Sequence, residues 1–508
     1  MPRFKPTNRE QGIMIPISYE KQITTGTFEH TIDHLVENNI RMGIFEARYK
    51  NDDTGATAYS PKVLLKIVLL AYSRGIMTSR DIEKACQENI VFMALSGGQS
   101  PDFTTIAHFI SSMKEEIGII FLEILLTCSE LDLLGGTEFA IDGCKMSSNA
   151  SKEWSGTFAD LKKKKEKLEE TIKFLIEKHN EADNNNKKPD RDEEKRRKEQ
   201  IERIEKKAKK IEKFLHENEP KINKKRKREN QSNITDNESA KMKTSHGVQQ
   251  GYNGMAIADN KHQIIFKAES FGSGQEHELL KPMIEGAKEN AKEIGLGEEY
   301  FKEKKVIGDT GYFSIENLKY LSGEDINGYI PDQQFRQRDP RFKDRGRHRP
   351  DKKTLYITED FKYRKKTDDY VCPEGNILKY KHKKKVYNTS GKAYYAGKED
   401  CSQCTRRKKC LLKEDTKKRT IYIMDEYSGR NYVEEMKAKI DTEEGRNIYS
   451  RRMGIIEPVF GNIRNSKRLN RFTLRTKNKV NIQWQLFCII HNIEKIFKYG
   501  DIGKLIEV

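Results

Sequence analysis

The sequence predicts an α/β protein with a mixed sheet, preceded by an all-helical region. Three observations predict it. Short apolar runs of strand character (FAIDG, YNGMAIAD, HQIIF, VIGD, INGYIP) alternate with an amphipathic helix, HELLKPMIEGAKENAKEIG. Residues 1–135 hold helical patterns and no comparable strand. Two stretches of other composition, 157–230 and 332–418, interrupt the alternation and read as inserts.

The helical region comes first. In YSPKVLLKIVLLAYSRGI, Ser60 is an N-cap, Pro61 suits the first helical position, and Gly75 ends the helix. Leu64, Leu65, Ile67, Val68, Leu69 and Leu70 make it apolar on most sides, so it is expected to be buried. Thr78 or Ser79 caps a second helix and Asp102 a third. The spacing suits either a DNA-binding helix-turn-helix or a packing module. The stretch 157–230 is Lys/Glu-rich, with Leu161, Leu168, Ile172 and Leu175 on one helical face. Ile201, Ile204, Ile211 and Leu215 line another, so a helical hairpin is expected, turning at NNNKKPD. The core resumes over 136–330 and 419–508, with RTIYIMDEY as its last strand and a terminal helix built on Trp484, Phe487, Ile490 and Phe497. His491 and Trp484 read as core residues there, whereas Trp154 sits in a polar segment that does not explain it.

Charge points to the partner. The 508 residues carry a net +18, an excess that suits a polyanion, nucleic acid before a membrane surface. No run of 18 apolar residues and no signal-peptide pattern occurs, so a cytoplasmic, nucleoid-associated protein is expected. Eight cysteines are too sparse for a disulfide scaffold. Four of them, Cys372, Cys401, Cys404 and Cys410, cluster in the second insert with one CxxC step, and four thiolates could hold a structural zinc.

The basic helix YSRRMGIIEPVFGNIRNSKR carries one carboxylate, Glu457, among Arg451, Arg452, Arg464, Lys467 and Arg468. Alone, Glu457 would be a surface ion-pair partner, and Asp142, in the turn dipeptide Asp-Gly, would be structural. Together with Asp309, at the end of VIGD, they make three carboxylates on a basic chain. Such a set suits two Mg²⁺ (or Mn²⁺) ions, hard cations that take oxygen ligands and clamp the attacking and leaving oxygens of a phosphoryl transfer.

These residues, in this order, resemble a DDE transposase of bacterial insertion sequences. YSPKVLLKIVLLAYSRGIMTSRDIEKACQ resembles the N-terminal helical domain of that family, and FAIDGCKMSSNAS its first catalytic aspartate strand. VIGDTGYFSIENL resembles the second aspartate block, and RRMGIIEPVFGNIRNSKRLNRF the glutamate helix. The cysteine-bearing insert resembles that of a subgroup. The resemblance implies an RNase H-like mixed sheet flanked by helices. It implies Asp142, Asp309 and Glu457 as metal-binding catalytic acids, and Arg452, Arg464, Lys467 and Arg468 as DNA contacts. The implied activity is strand cleavage at element ends and strand transfer into target DNA, by a homodimer when bound to double-stranded DNA. A non-catalytic DNA-binding regulator, or a related nuclease, is the alternative.

Overall fold

The computed structural model describes residues 16–501 and Gly503, except 50–56, 185–190, 224–226, 245–246, 343–344, 346–355, 387–388, 412–414, 425–430 and 502. The turn expected at NNNKKPD lies largely outside the described residues. The chain forms two compact units, Met1–Ile330 with Asn447–Val508, and Pro331–Arg446.

The first unit opens with helices α1 (Phe28–His34), α2 (Pro61–Ser73), α3 (Ser79–Glu88), α4 (Ile90–Leu95), α5 (Phe103–Ser112) and α6 (Glu116–Glu130). Asp102 and Thr78 cap as expected, each accepting a first-turn backbone N–H. Ser60 stands at the cap position of α2 but its hydroxyl makes no capping bond. The six apolar residues of α2 are all buried. Its buried Lys66 is satisfied by Asp33 and Glu37, 2.5 Å each.

The sheet follows. Strands β1 (Glu138–Ser147), β2 (Ala240–Thr244), β3 (Gly247–Asp259), β4 (Ile265–Phe271), β5 (Lys305–Ile307) and β6 (Asn327–Tyr329) lie in the order β6-β5-β1-β3, with β2 and β4 sharing the far edge of β3. β1, β3 and β4 pair antiparallel, while β5 and β6 join β1 in parallel. A three-strand meander extended by two parallel strands is the RNase H-like arrangement. Between β1 and β2 the hairpin α7 (Phe158–Asn184) and α8 (Arg191–Glu217) projects. Its base packs Leu161, Ile211 and Phe214 with Ile234, and Trp154 packs there too, with the Lys164 ammonium 4.4 Å over its ring. Farther out, Leu168, Ile172 and Leu175 of that face are half-buried, while Phe174, off the face, is 59 % exposed. Helices α9 (Leu280–Glu293) and α10 (Ile315–Gly323) follow β4 and β5.

The chain returns as α11 (Glu443–Gly461) and α12 (Lys477–Tyr499). α12 is buried on most sides; Tyr72 of α2 stacks on its Phe487 at 4.9 Å. Its amides close the open edge of β4. Asn492 accepts the Ile265 N–H at 2.8 Å and donates to the Ile265 carbonyl at 2.9 Å. Gln485 donates to the Ala268 carbonyl at 3.2 Å, and Asn481 accepts the Ser270 N–H at 2.9 Å. An edge strand otherwise presents unpaired groups to water or to another chain. His491, as expected, is a core residue, with Nε2 2.9 Å from the Gln263 carbonyl and Nδ1 3.0 Å from Asn462. Burial pushes its imidazole down to about 3.

The second unit holds a five-stranded antiparallel sheet of β7 (Lys362–Arg364), β8 (Asp369–Val371), β9 (Ile377–Val386), β10 (Thr389–Tyr395) and β11 (Thr420–Met424), in that order. RTIYIMDEY, read as the last core strand, supplies β11, so this unit runs to Arg446 rather than 418. The reason is local: Ile421 packs with Phe361, Leu378 and Tyr394 in the unit's own core.

Asn492→Ala leaves both backbone groups of Ile265 without partners in a dry site. It is expected to destabilise the first unit by about 3 kcal/mol, read as a lower urea midpoint. An unchanged midpoint would show that the amides do not hold this edge.

Candidate active site

The site forms where the sheet parts. β5 pairs with β1 only as far as Ile307 opposite Ala140. Two residues further along stand Asp142, still within β1, and Asp309, just past the end of β5. They lie at the carboxyl ends of a parallel pair, where open α/β sheets bind ligands. β1 does not end at Asp142, as the apolar run suggested. It continues to Ser147 along β3, so Asp142 is mid-strand with one side uncovered.

Asp142 is largely buried. Its Oδ1 accepts the Gly143 N–H at 2.8 Å, and its Oδ2 accepts from Arg452 Nη1 at 2.6 Å. Burial pushes its carboxyl up to about 6; the Arg452 charge opposes that push and the Asp309 charge adds to it. Asp309 caps the short turn Thr310–Tyr312, with Oδ1 accepting the Gly311 N–H at 2.7 Å.

Glu457 stands on α11, its side chain half exposed. Its Oε1 is 3.8 Å from Arg452 Nη2. One guanidinium therefore lies between the first and third acids, and Asp309 acts on it electrostatically. The next residue, Pro458, lies inside the helix and has no N–H. The Gly454 carbonyl thereby loses its helical donor, and Gln263 Nε2 donates to it instead at 2.9 Å. Arg451 fixes the preceding turn through two bonds to Glu138, 2.8 and 2.6 Å, which Lys305 joins at 3.1 Å.

The basic residues divide. Arg464 and Arg468 are exposed, and the Arg464 charge acts on the Cys144 thiol beside Asp142. Lys467, read as a phosphate contact, is fully buried; its ammonium bonds Glu494 at 2.5 Å and Asn462 Oδ1 at 2.8 Å. It is a structural pin, because the turn after α11 folds it inward. Arg452, also read as a DNA contact, is committed to Asp142.

Reading the sequence missed Glu138 and Glu276. Glu276 pairs with Lys145 at 2.9 Å. A Cβ on Gly311 would meet Glu276 Oε2 at 2.8 Å and Asp309 Oδ1 at 2.9 Å, so this glycine lets the two carboxylates approach. The glycine two places after Asp309 was the available signal. Tyr312 closes the floor, fully buried, with its hydroxyl 3.8 Å from Met255 Sδ.

Among the described residues, no group of three or more Asp, Glu, His or Cys side chains is gathered closely enough to hold a metal ion. At the three acids the donors suit a hard cation in kind, and Arg452 lies between two of them. In the second unit, Cys372, Cys401, Cys404 and Cys410 line one small cavity with Tyr356, Leu378 and Arg419. The Asn376 N–H donates to Cys372 Sγ at 3.3 Å, and the Arg419 N–H to Cys401 Sγ at 3.4 Å. The Cys372 turn closes through the Gly375 N–H to the Cys372 carbonyl at 2.8 Å, with Gly375 at φ +84°. Among the described residues, no helix is long and apolar enough to cross a membrane.

Two family models match the chain. One, described as a transposase DDE domain, covers residues 371–497 and so includes Glu457 and the four cysteines. The other, described as a transposase domain (DUF772), covers residues 17–112, the first helices. No curated protein and no solved structure matches. The two matches bear out the resemblance to a DDE transposase of insertion sequences.

Arg452→Gln removes the cation between Asp142 and Glu457. Asp142 has its carboxyl raised in the folded chain, so what it contributes to stability is fully present below the usual carboxylate range and is lost as pH rises through about 6. The variant is therefore expected to lose little at pH 5 and about 3 kcal/mol at pH 8, where the carboxylate is charged and unpaired. Thermal melts at the two pH values check this; an equal loss at both would contradict it.

Proposed function

We propose that this chain, whose two transposase-domain matches make it a transposase in general terms, cuts DNA at the ends of an insertion sequence and joins the freed ends to target DNA. The observation that carries the reading is Arg452. Its guanidinium is 2.6 Å from Asp142 and 3.8 Å from Glu457, with Asp309 acting on both it and Asp142. Three carboxylates distant in sequence thus share one surrounding. Asp142, Asp309 and Glu457 would hold two Mg²⁺ (or Mn²⁺) ions. Such ions, when bound, supply an acidified water or 3′-hydroxyl and a stabilised leaving oxygen.

The chain's own residues do the rest. Backbone N–H groups fix Asp142 and Asp309 at the sheet opening, and Arg452 would have to release Asp142 Oδ2 for that oxygen to meet an ion. Arg464 and Arg468 neutralise backbone phosphates without reading sequence. The helices before residue 135 contact the element ends, and two copies bring two ends together. Cys372, Cys401, Cys404 and Cys410 would hold a structural zinc, which would stiffen the second unit. The rival reading, a regulator that binds DNA without cutting it, does not account for three acids around one cation.

Asp142→Asn keeps the side-chain shape and removes the charge. Cleavage of duplexes carrying the element ends, with Mg²⁺, should fall to background while gel-shift affinity stays within about twofold of wild type. Cleavage at the wild-type rate would sink the reading, and cutting without strand joining would leave a nuclease. The purified chain should contain about one zinc per molecule, lost in Cys401→Ser/Cys404→Ser. A zinc-free chain of equal thermal stability would remove that ion from the account.

A further inference from the structure

The second unit's sheet packs its main core on one face. Leu378, Tyr394 and Ile421 point inward to that core. Neighbouring residues on the same strands point the other way. There, Lys379 stands opposite Tyr395 in register. A cleft of about 570 Å³ opens on this side, lined by Lys379, Lys381, Tyr395, Lys418, Asn376 and Asp400 among others. The Lys418 ammonium lies 4.4 Å over the Tyr395 ring, and the His382 ring meets the edge of the same ring at 5.7 Å. Among the described residues, no carboxylate pairs with Lys379, Lys381 or Lys418. Asp400 is the one acid among the described residues lining the cleft.

We infer that this face binds the sugar-phosphate backbone of duplex DNA, a second anchor separate from Arg464 and Arg468. The inference rests on DNA as the substrate. Three unpaired ammonium groups along one cleft match a regularly charged rod, and the chain's +18 excess favours the same partner. Lysines act as point charges on phosphates and carry no base readout. Tyr395 contributes by fixing Lys418 over its ring, so that this ammonium is already placed before DNA arrives.

The test measures binding of the full chain to random-sequence duplexes by fluorescence anisotropy across a salt series, without divalent metal. Lys379→Gln/Lys381→Gln/Lys418→Gln should bind more weakly, by the same factor on every duplex. Its slope of log affinity against log salt should fall by about 3, close to one unit for each phosphate no longer neutralised. Lys379→Arg/Lys381→Arg/Lys418→Arg should keep the wild-type slope. In the unaltered chain, DNA should protect the three lysines from acetylation, a readout that needs no variant to fold. An unchanged slope with unprotected lysines overturns the inference while leaving the cleavage reading intact. Loss confined to one sequence, or protection by RNA and not by duplex DNA, overturns it too. A wild-type chain that binds no DNA overturns the proposed function along with it.

Discussion

A row of side-chain amides on α12 closes the edge of the mixed sheet. Asn481, Gln485 and Asn492 satisfy backbone groups of β4 that no neighbouring strand reaches. The same helix then carries the site. Trp484 lies against Gly254, whose Cβ position would be 2.9 Å from the indole, and its Nε1 donates to the Met255 carbonyl at 2.9 Å. Phe460 of α11 stacks on Trp484 at 6.3 Å. The carboxylate of Glu457 is thus set over β1 by a chain of contacts that starts at the sheet edge. This is why a helix far in sequence from Asp142 can serve the same site.

Charge balance governs the site itself. Carboxylates brought near one another in a half-dry opening repel, and burial alone drives Asp142 toward its neutral form. Arg452 offsets this from inside the cluster, and Arg451, next to it, does the same for Glu138 farther back on β1. The two adjacent arginines therefore have separate partners on β1, four residues apart, and lock the helix register against the strand.

Much of this was legible in the sequence, because it depends on local pattern. The caps Thr78 and Asp102 follow from side-chain chemistry at a helix start. The strand carrying Asp142 and the one leading to Asp309 follow from apolar runs, and the burial of α2 from its composition. What escaped depends on partners. The extension of β1 to Ser147 needs β3 beside it, since CKMS is not apolar enough to predict alone. Lys467 reads as one more surface cation until the turn after α11 aims it at Glu494. The strand at 420–424 suited either sheet, and only the packing of Ile421 decides. Glu138 and Glu276 look like ordinary surface acids, because their lysine and arginine partners are distant in sequence.

Pro458 sits next to the carboxylate that completes the acid cluster. At that point α11 is spanned by a glutamine from another element rather than by its own backbone ladder. A side-chain bond of this kind is exchangeable for water at small cost, whereas a helical bond is not. Beside Glu457 the helix ladder thus has one rung that water can replace, while the neighbouring Ile456 and Val459 stay packed in the core.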